Sequence, residues 1–353
     1  MSTDPKTADP APAASEPAVF SVAVASPPVE AAELKPVLER EQTSLIASEP
    51  PAPSPATTPT AETAPVPTPV EKDTADVVEP ENALTKQFTE AEWKALKDFR
   101  VQLPDIYKQA YAEDSPTKTD GVIHLWGVDI DTQNPLASGA RASVVLMKFL
   151  RARNLSVTDA RTMMVATLRW RESFDIAAVM QEEYPQDVFG KLGHIYGKDK
   201  DGRPVTYNLY GANKDTKAVF GDVQRFLRWR VALMEKSLEL VDFETVDQTV
   251  QVHDYAGVSI FAGRDANAKN AAAETTSVFS NHYPELLYKK FFVNAPSLLS
   301  WMFWLFKPLL PAKTLAKMTV VGSGEDVVSQ ALLPLIESKE LPRRYGGGAE
   351  PAW

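Results

Sequence analysis

The sequence contains no cysteine. Disulfides, zinc–thiolate sites, iron–sulfur clusters and thiol nucleophiles are therefore excluded. The N-terminus has no basic segment leading into an apolar core, as a secretory signal would have. No apolar run reaches the ~18 residues that a bilayer span requires. These absences predict a cytosolic chain that touches membranes only from outside. Aromatics are almost missing from residues 1–80, where Phe20 stands alone among 16 of the 28 prolines, 13 acidic and 4 basic residues. Such a segment buries too little apolar surface to offset its ordering entropy. It is expected to be a disordered acidic arm. The arm accounts for −9 of the net charge of −10, so residues 81–353 are near neutral, with 33 basic and 34 acidic side chains. A neutral body lacks the basic patch that nucleic acid requires, and its length suffices for one large core.

What is present reads first as helix and then as alternating strand and helix. Residues 82–112 carry an apolar stripe (Leu84, Phe88, Trp93, Leu96, Phe99) interrupted at Pro104, and residues 121–127 read as a connector. A helix is expected over 140–153, and another from the Ser156–Asp159 cap to about 173. Strands follow at 194–196 and 203–210 around an Asp-Gly turn, then a long helix at 222–241 carrying Arg225, Arg228 and Arg230. Strands at 248–255, 289–294 and 318–321 alternate with helices at 266–281 and 327–336. That alternation predicts an α/β fold with a largely parallel sheet.

Three features carry chemistry. Residues 298–310 are apolar on nearly every face and end at Pro308. A helix of that kind is buried or faces lipid. The run is either a core helix or a lid over an apolar pocket, with Trp301 and Trp304 suited to an interface. Second, a period of two places Thr249, Gln251, His253 and Tyr255 on one strand face, with Val250 and Val252 on the other. Strands covered on both sides are usually apolar on both. The polar face therefore either borders a ligand cavity or is satisfied by neighbouring side chains. Third, Glu285 follows Tyr283-Pro284 and Lys317 precedes the strand at Met318; each by itself reads as an ordinary surface charge.

The motifs Lys148-Phe-Leu-Arg-Ala-Arg153, Lys198-Asp-Lys-Asp-Gly-Arg-Pro204, Tyr283-Pro-Glu285, Val293-Asn-Ala-Pro296, Leu305-Phe-Lys-Pro308 and Leu341-Pro-Arg-Arg-Tyr-Gly-Gly347 resemble, in order and spacing over 140–348, the CRAL-TRIO lipid-binding superfamily. The resemblance implies an N-terminal helical lobe over 81–180. Over 181–348 it implies a ligand-binding domain in which a mostly parallel sheet and helices enclose one hydrophobic cavity. An apolar helix gates that cavity, and Trp301, Phe303, Trp304 and Phe306 are its gate side chains. The family's phosphatidylinositol carriers imply Arg153, Glu285, Thr314 and Lys317 as headgroup contacts. Cations and a hydroxyl would meet the phosphate there, and a carboxylate would accept from inositol hydroxyls.

In ordinary carriers of this family the cavity side of the strand at 250–255 is apolar; here it reads Val-His-Asp-Tyr. With Thr206-Tyr-Asn-Leu-Tyr-Gly and Tyr283-Pro-Glu-Leu-Leu-Tyr-Lys-Lys290, it resembles the fungal non-classical phosphatidylinositol transfer proteins that bind haem. That subgroup implies a non-covalent, ferric haem b. Tyr255 would be its axial iron ligand, with His253 beside it as a candidate second iron contact, and Tyr207, Arg228 and Lys290 as further haem contacts. It also implies transient contact with membrane surfaces, peripheral association with the endoplasmic reticulum, and links to phosphoinositide homeostasis and the oxidant stress response. The alternatives are a plain phosphatidylinositol transfer protein, in which His253 and Tyr255 are structural, and a haem enzyme of peroxidase type. The sequence offers no Ser/His/Asp nucleophile set and no distal acid–base pair beyond His253, so the expectation is a carrier and not an enzyme.

Overall fold

The computed structural model describes residues 78–353 except 113–114, 116–117, 119, 260–264, 296–311 and 352, and the side chain of Thr314. All described residues belong to one unit, Thr74–Trp353. The expected arm, apart from residues 78–80, and the apolar run 298–310 lie outside the described residues.

The first expected helix is two. In α1 (Glu90–Arg100), the Thr89 side chain accepts from the Glu92 amide while the Glu92 carboxylate accepts from the Thr89 amide. Pro104 then sits in the first turn of α2 (Leu103–Ala110), where its missing N–H costs nothing. The stretch read as a connector is instead an antiparallel hairpin of β1 (Val122–Leu125) and β2 (Val128–Asp131). Its turn residues Trp126 and Gly127 both have positive φ, as a two-residue hairpin loop of matching twist demands. Positive φ is unusual for tryptophan. Burial holds it there, with the Trp126 ring stacked on Phe149 at 5.9 Å.

α3 (Gly139–Ala152) and α4 (Val157–Ser173) complete the helical part, the latter capped by Ser156. One apolar core runs from Phe88 through α3 and α4 to Met234, Phe243, Tyr283 and Leu286, so it joins the helices to the sheet region. Two short helices, α5 (Ile176–Gln181) and α6 (Gln186–Phe189), lead to β3 (Gly193–Lys198) and β4 (Pro204–Leu209). α7 (Thr216–Phe220) and α8 (Val223–Leu238) precede β5 (Thr249–Asp254). α9 (Ala266–His282), β6 (Leu287–Val293), α10 (Ala312–Leu315), β7 (Met318–Val320) and α11 (Glu325–Leu332) follow.

The strands form one sheet in the order β3-β4-β5-β6-β7. The first pair is antiparallel and the remaining pairs are parallel. Laterally paired residues share a face, so the register sorts the side chains. Thr206, Gln251, Lys290 and Met318 form one row, and Asn208, His253, Phe292 and Val320 the next, on one face. Tyr207, Val252 and Phe291 lie on the other, packed with Leu332, Leu341 and Tyr345.

Candidate functional site

A cavity of about 600 Å³ lies between the first of these faces and helices α8 and α9. Its apolar walls include Phe226, Met234, Phe279, Phe292 and Met318. Arg or Lys occupies eight described lining positions (151, 153, 214, 230, 269, 290, 313 and 317), whereas Glu285 is the single carboxylate among them. A mainly apolar enclosure with that charge balance fits an anionic amphiphile.

At the strand starts, Arg153, Glu285 and Lys317 all line the cavity. Lys317 Nζ is 2.8 Å from Glu285 Oε2, with both side chains about a quarter exposed (24% and 25%). Arg153 donates to its neighbour's carbonyl, Ala152 O, at 3.1 Å. Glu285 has a φ of 52°, and its carbonyl is held by Lys148 Nζ at 3.1 Å and Gln248 Nε2 at 3.2 Å. Lys148 is itself buried and paired with Asp247 at 2.8 Å; loss of solvation pushes its pKa down, and the Asp247 carboxylate opposes this. On the other side of Pro284, the Tyr283 hydroxyl donates to Glu235 at 2.5 Å, and Arg171 grips the same carboxylate through two bonds. The Tyr-Pro-Glu segment is thus clamped from two directions by buried ion pairs. The backbone of Thr314 falls in α10; its side chain, and Trp301, Phe303, Trp304 and Phe306, lie outside the described residues.

At the strand finishes, the expected polar face is present. Gln251, His253 and Tyr255 line the cavity. Thr249 does not; it is buried, with its hydroxyl 3.4 Å from the Leu286 carbonyl. His253 Nδ1 is 3.2 Å from the Tyr210 hydroxyl and Nε2 is 3.3 Å from Gln251 Oε1. This network closes on a neutral imidazole that donates from Nε2 and accepts at Nδ1. Burial, with the Lys290 and Arg230 charges, holds the His253 pKa well below the ordinary histidine range. The Tyr210 ring also lies 5.4 Å from Tyr255. Burial raises the Tyr255 pKa, the Tyr210 phenol raises it further, and the Arg230 charge opposes both.

Two of the expected haem contacts are placed elsewhere. Tyr207 faces away from the cavity, fully buried and stacked on Tyr345 at 5.4 Å. The register explains this, because Tyr207 pairs with Val252 and not with His253. Arg228 points from α8 toward α5, 2.7 Å from Glu182 and donating to the Phe174 carbonyl at 3.0 Å. The arginine that does line the cavity is Arg230, two residues on and only 3% exposed. It donates to Asn208 Oδ1. Lys290 lines the cavity as expected, with a pKa pushed down to about 7 by lost solvation and then by the Arg230 charge. Tyr210 is the other residue that the strand reading missed. Alternation from Thr206 through Asn208 points to it, because Asn208 pairs with His253.

A bound haem is tested by this donor set. Among the described residues no group of three or more His, Asp or Glu side chains is placed to hold a metal ion. Among the described lining residues the finishing end offers two phenols, one neutral imidazole and two cations and no carboxylate, which fits a macrocycle that brings its own nitrogen ligands and two propionates.

Residues 189–347 match the CRAL/TRIO domain. Over 270 residues the chain is 37% identical to the phosphatidylinositol transfer protein sfh5 of Sclerotinia sclerotiorum, covering 72% of this chain and 61% of that protein. A relative of the same name from Botryotinia fuckeliana is 34% identical, and this chain spans 57% of its length. The SFH5 protein of Cryptococcus neoformans is 33% identical over 71% of this chain and 86% of its own length. A crystal structure of Sfh5 superposes with a TM-score of 0.62 at 26% identity, covering 74% of this chain and 88% of that one. The match to the domain, the identity to the Cryptococcus neoformans protein over most of its length and the superposition on Sfh5 agree: this chain, which spans about 60% of the first two relatives, belongs to the CRAL/TRIO family.

Proposed function

We propose that this protein is a carrier that takes phosphatidylinositol into the cavity and exchanges it at membrane surfaces, and that the same cavity holds a ferric haem b. The observation that carries the reading is the cavity itself: apolar walls, eight cations and a single carboxylate among its described lining residues. The names of the SFH5 relatives support the lipid. The Glu285–Lys317 pair and Arg153 supply acceptor and donor groups for an inositol phosphate. The run 298–310 is proposed as the membrane-touching gate on the strength of its sequence. A place at the endoplasmic reticulum and in the oxidant response is supported by the family resemblance.

For haem, Tyr255 is the proposed iron ligand, with His253 beside it and Arg230 and Lys290 toward the propionates. Burial raises the Tyr255 pKa, so its phenolate forms only against a strong positive charge; ferric iron supplies that charge when haem is bound. Gln251 and Tyr210 fix the imidazole as a neutral neighbour. The absorption spectrum of the purified protein tests this. Wild type is expected to show a Soret band with high-spin ferric, phenolate-type charge transfer, and Tyr255→Phe to lose that band and most of the haem. An unchanged spectrum at full occupancy in Tyr255→Phe rejects the assignment, and a wild type with no Soret band leaves the plain lipid carrier.

A further inference from the structure

Arg230 is a cation that the fold buries without completing its hydrogen bonds. It is 3% exposed, and its Nε finds no acceptor among the described residues. Asn208, which accepts from the Arg230 guanidinium, keeps its own Nδ2 without an acceptor as well. Lys290 lines the same cavity and feels the Arg230 charge directly. Its described neighbour is the Phe292 ring, 5.6 Å from Nζ. No carboxylate among the described residues pairs with either cation, since Glu285 is taken by Lys317. Burying an unpaired charge is costly, and an orphaned buried donor adds to that cost. A fold that retains both is completed by an acceptor from outside the chain.

We infer that Arg230 and Lys290 form a carboxylate seat for apolar acids, so that the cavity takes free long-chain fatty acids in addition to the ligands proposed above. A guanidinium gives charge-assisted donors to a carboxylate, and Arg230 brings one to the cavity wall beside Lys290. Phe226, Phe279 and Phe292 line the space beside it, so the rest of the ligand must be apolar. A fatty acid is the simplest molecule divided in that way. Neither iron nor a phosphate is needed, and the Glu285–Lys317 pair, at the starts of the strands, takes no part. Haem propionates would use the same chemistry, so the two ligands exclude each other at this seat.

The test is titration of the full chain, purified free of haem, with oleate and with oleyl alcohol, which differs only in lacking the carboxylate. Oleate is expected to bind at least about tenfold tighter, the return from one charge-assisted contact. Arg230→Met should erase that preference while leaving the alcohol's affinity in place. Should Arg230→Met fail to fold, Lys290→Met carries the test and should reduce the preference several-fold. Equal affinity of wild type for oleate and oleyl alcohol overturns the seat, as does an undiminished preference in Lys290→Met. The haem reading fails separately, on the Tyr255→Phe spectrum.

Discussion

The two ends of the cavity use charge in opposite ways. At the strand starts the buried and half-buried charges stand in ion pairs, Lys317 with Glu285, Lys148 with Asp247, and Arg171 with Glu235, while Arg153 meets a carbonyl. At the strand finishes Arg230 and Lys290 share a cavity wall with phenols, an imidazole and aromatic rings, and no described carboxylate answers them. The paired end is internally satisfied, so a ligand there competes with an existing ion pair and exchanges readily. The unpaired end stores an unsatisfied charge that an anion relieves, so it favours retention. For the proposed carrier these would be a headgroup end that releases at a membrane and a deep end that holds.

Breaking the paired end at its most buried point should give the largest effect. Lys148→Ala strands Asp247 and frees the Glu285 carbonyl, and removing one partner of a buried pair costs about 3–5 kcal/mol. Chemical denaturation should show a loss of that size. A loss below about 1 kcal/mol would mean that the pair does not set the Tyr-Pro-Glu segment.

A smaller effect is expected at the exchangeable pair. Lys317→Ala removes a charge-assisted contact of about 1.5–3 kcal/mol, a fall of roughly 10- to 150-fold in affinity for phosphatidylinositol. Vesicle transfer assays should register it while the haem absorbance stays. Undiminished transfer would remove the headgroup from this end.

The smallest effect over a single pH unit, and the sharpest probe of the unpaired end, is pH. The charged and titratable groups that act on Lys290 are Arg230 from α8 and His253 from β5, with Gln251 paired beside it on β5 and the Phe292 ring next to it on β6. Its folded-state pKa is lowered to about 7 from an ordinary lysine value. Between these two values the unfolded chain binds more protons than the folded one, so the ligand-free protein should gain stability as pH rises above about 7. An anion in the seat favours the protonated amine and flattens that trend, and anion binding should weaken over the same pH rise. Thermal melts at several pH values, with and without oleate, measure both slopes. Parallel curves would show that Lys290 does not face the ligand.

Much of the fold was legible because its signals are local. The period of two at 249–255 placed Gln251, His253 and Tyr255 together, and backbone pleating alone enforces that. The Ser156 cap and the Asp199–Gly202 turn act over a few residues. The hairpin at Val122–Asp131 was missed because its turn puts a tryptophan at positive φ, which only long-range packing against Phe149 stabilises.

The sequence by itself determined the α/β order of elements and the polar face of β5; Glu285 and Lys317 read alone as surface charges, and only the family resemblance named them together. Tertiary structure alone decided which arginine of α8 enters the cavity and which tyrosine of the β4 region meets His253. α8 is buried on several sides, among the core clusters beneath the helices and against the sheet, so its own periodicity does not say which face is the cavity face. All six residues of β4 are buried, and alternation cannot rank two covered faces. Only the register with β5, which sets Asn208 beside His253 and Tyr207 beside Val252, turns Tyr207 to the outer core and leaves Tyr210 on the cavity side, where the packing of α8 also brings Arg230.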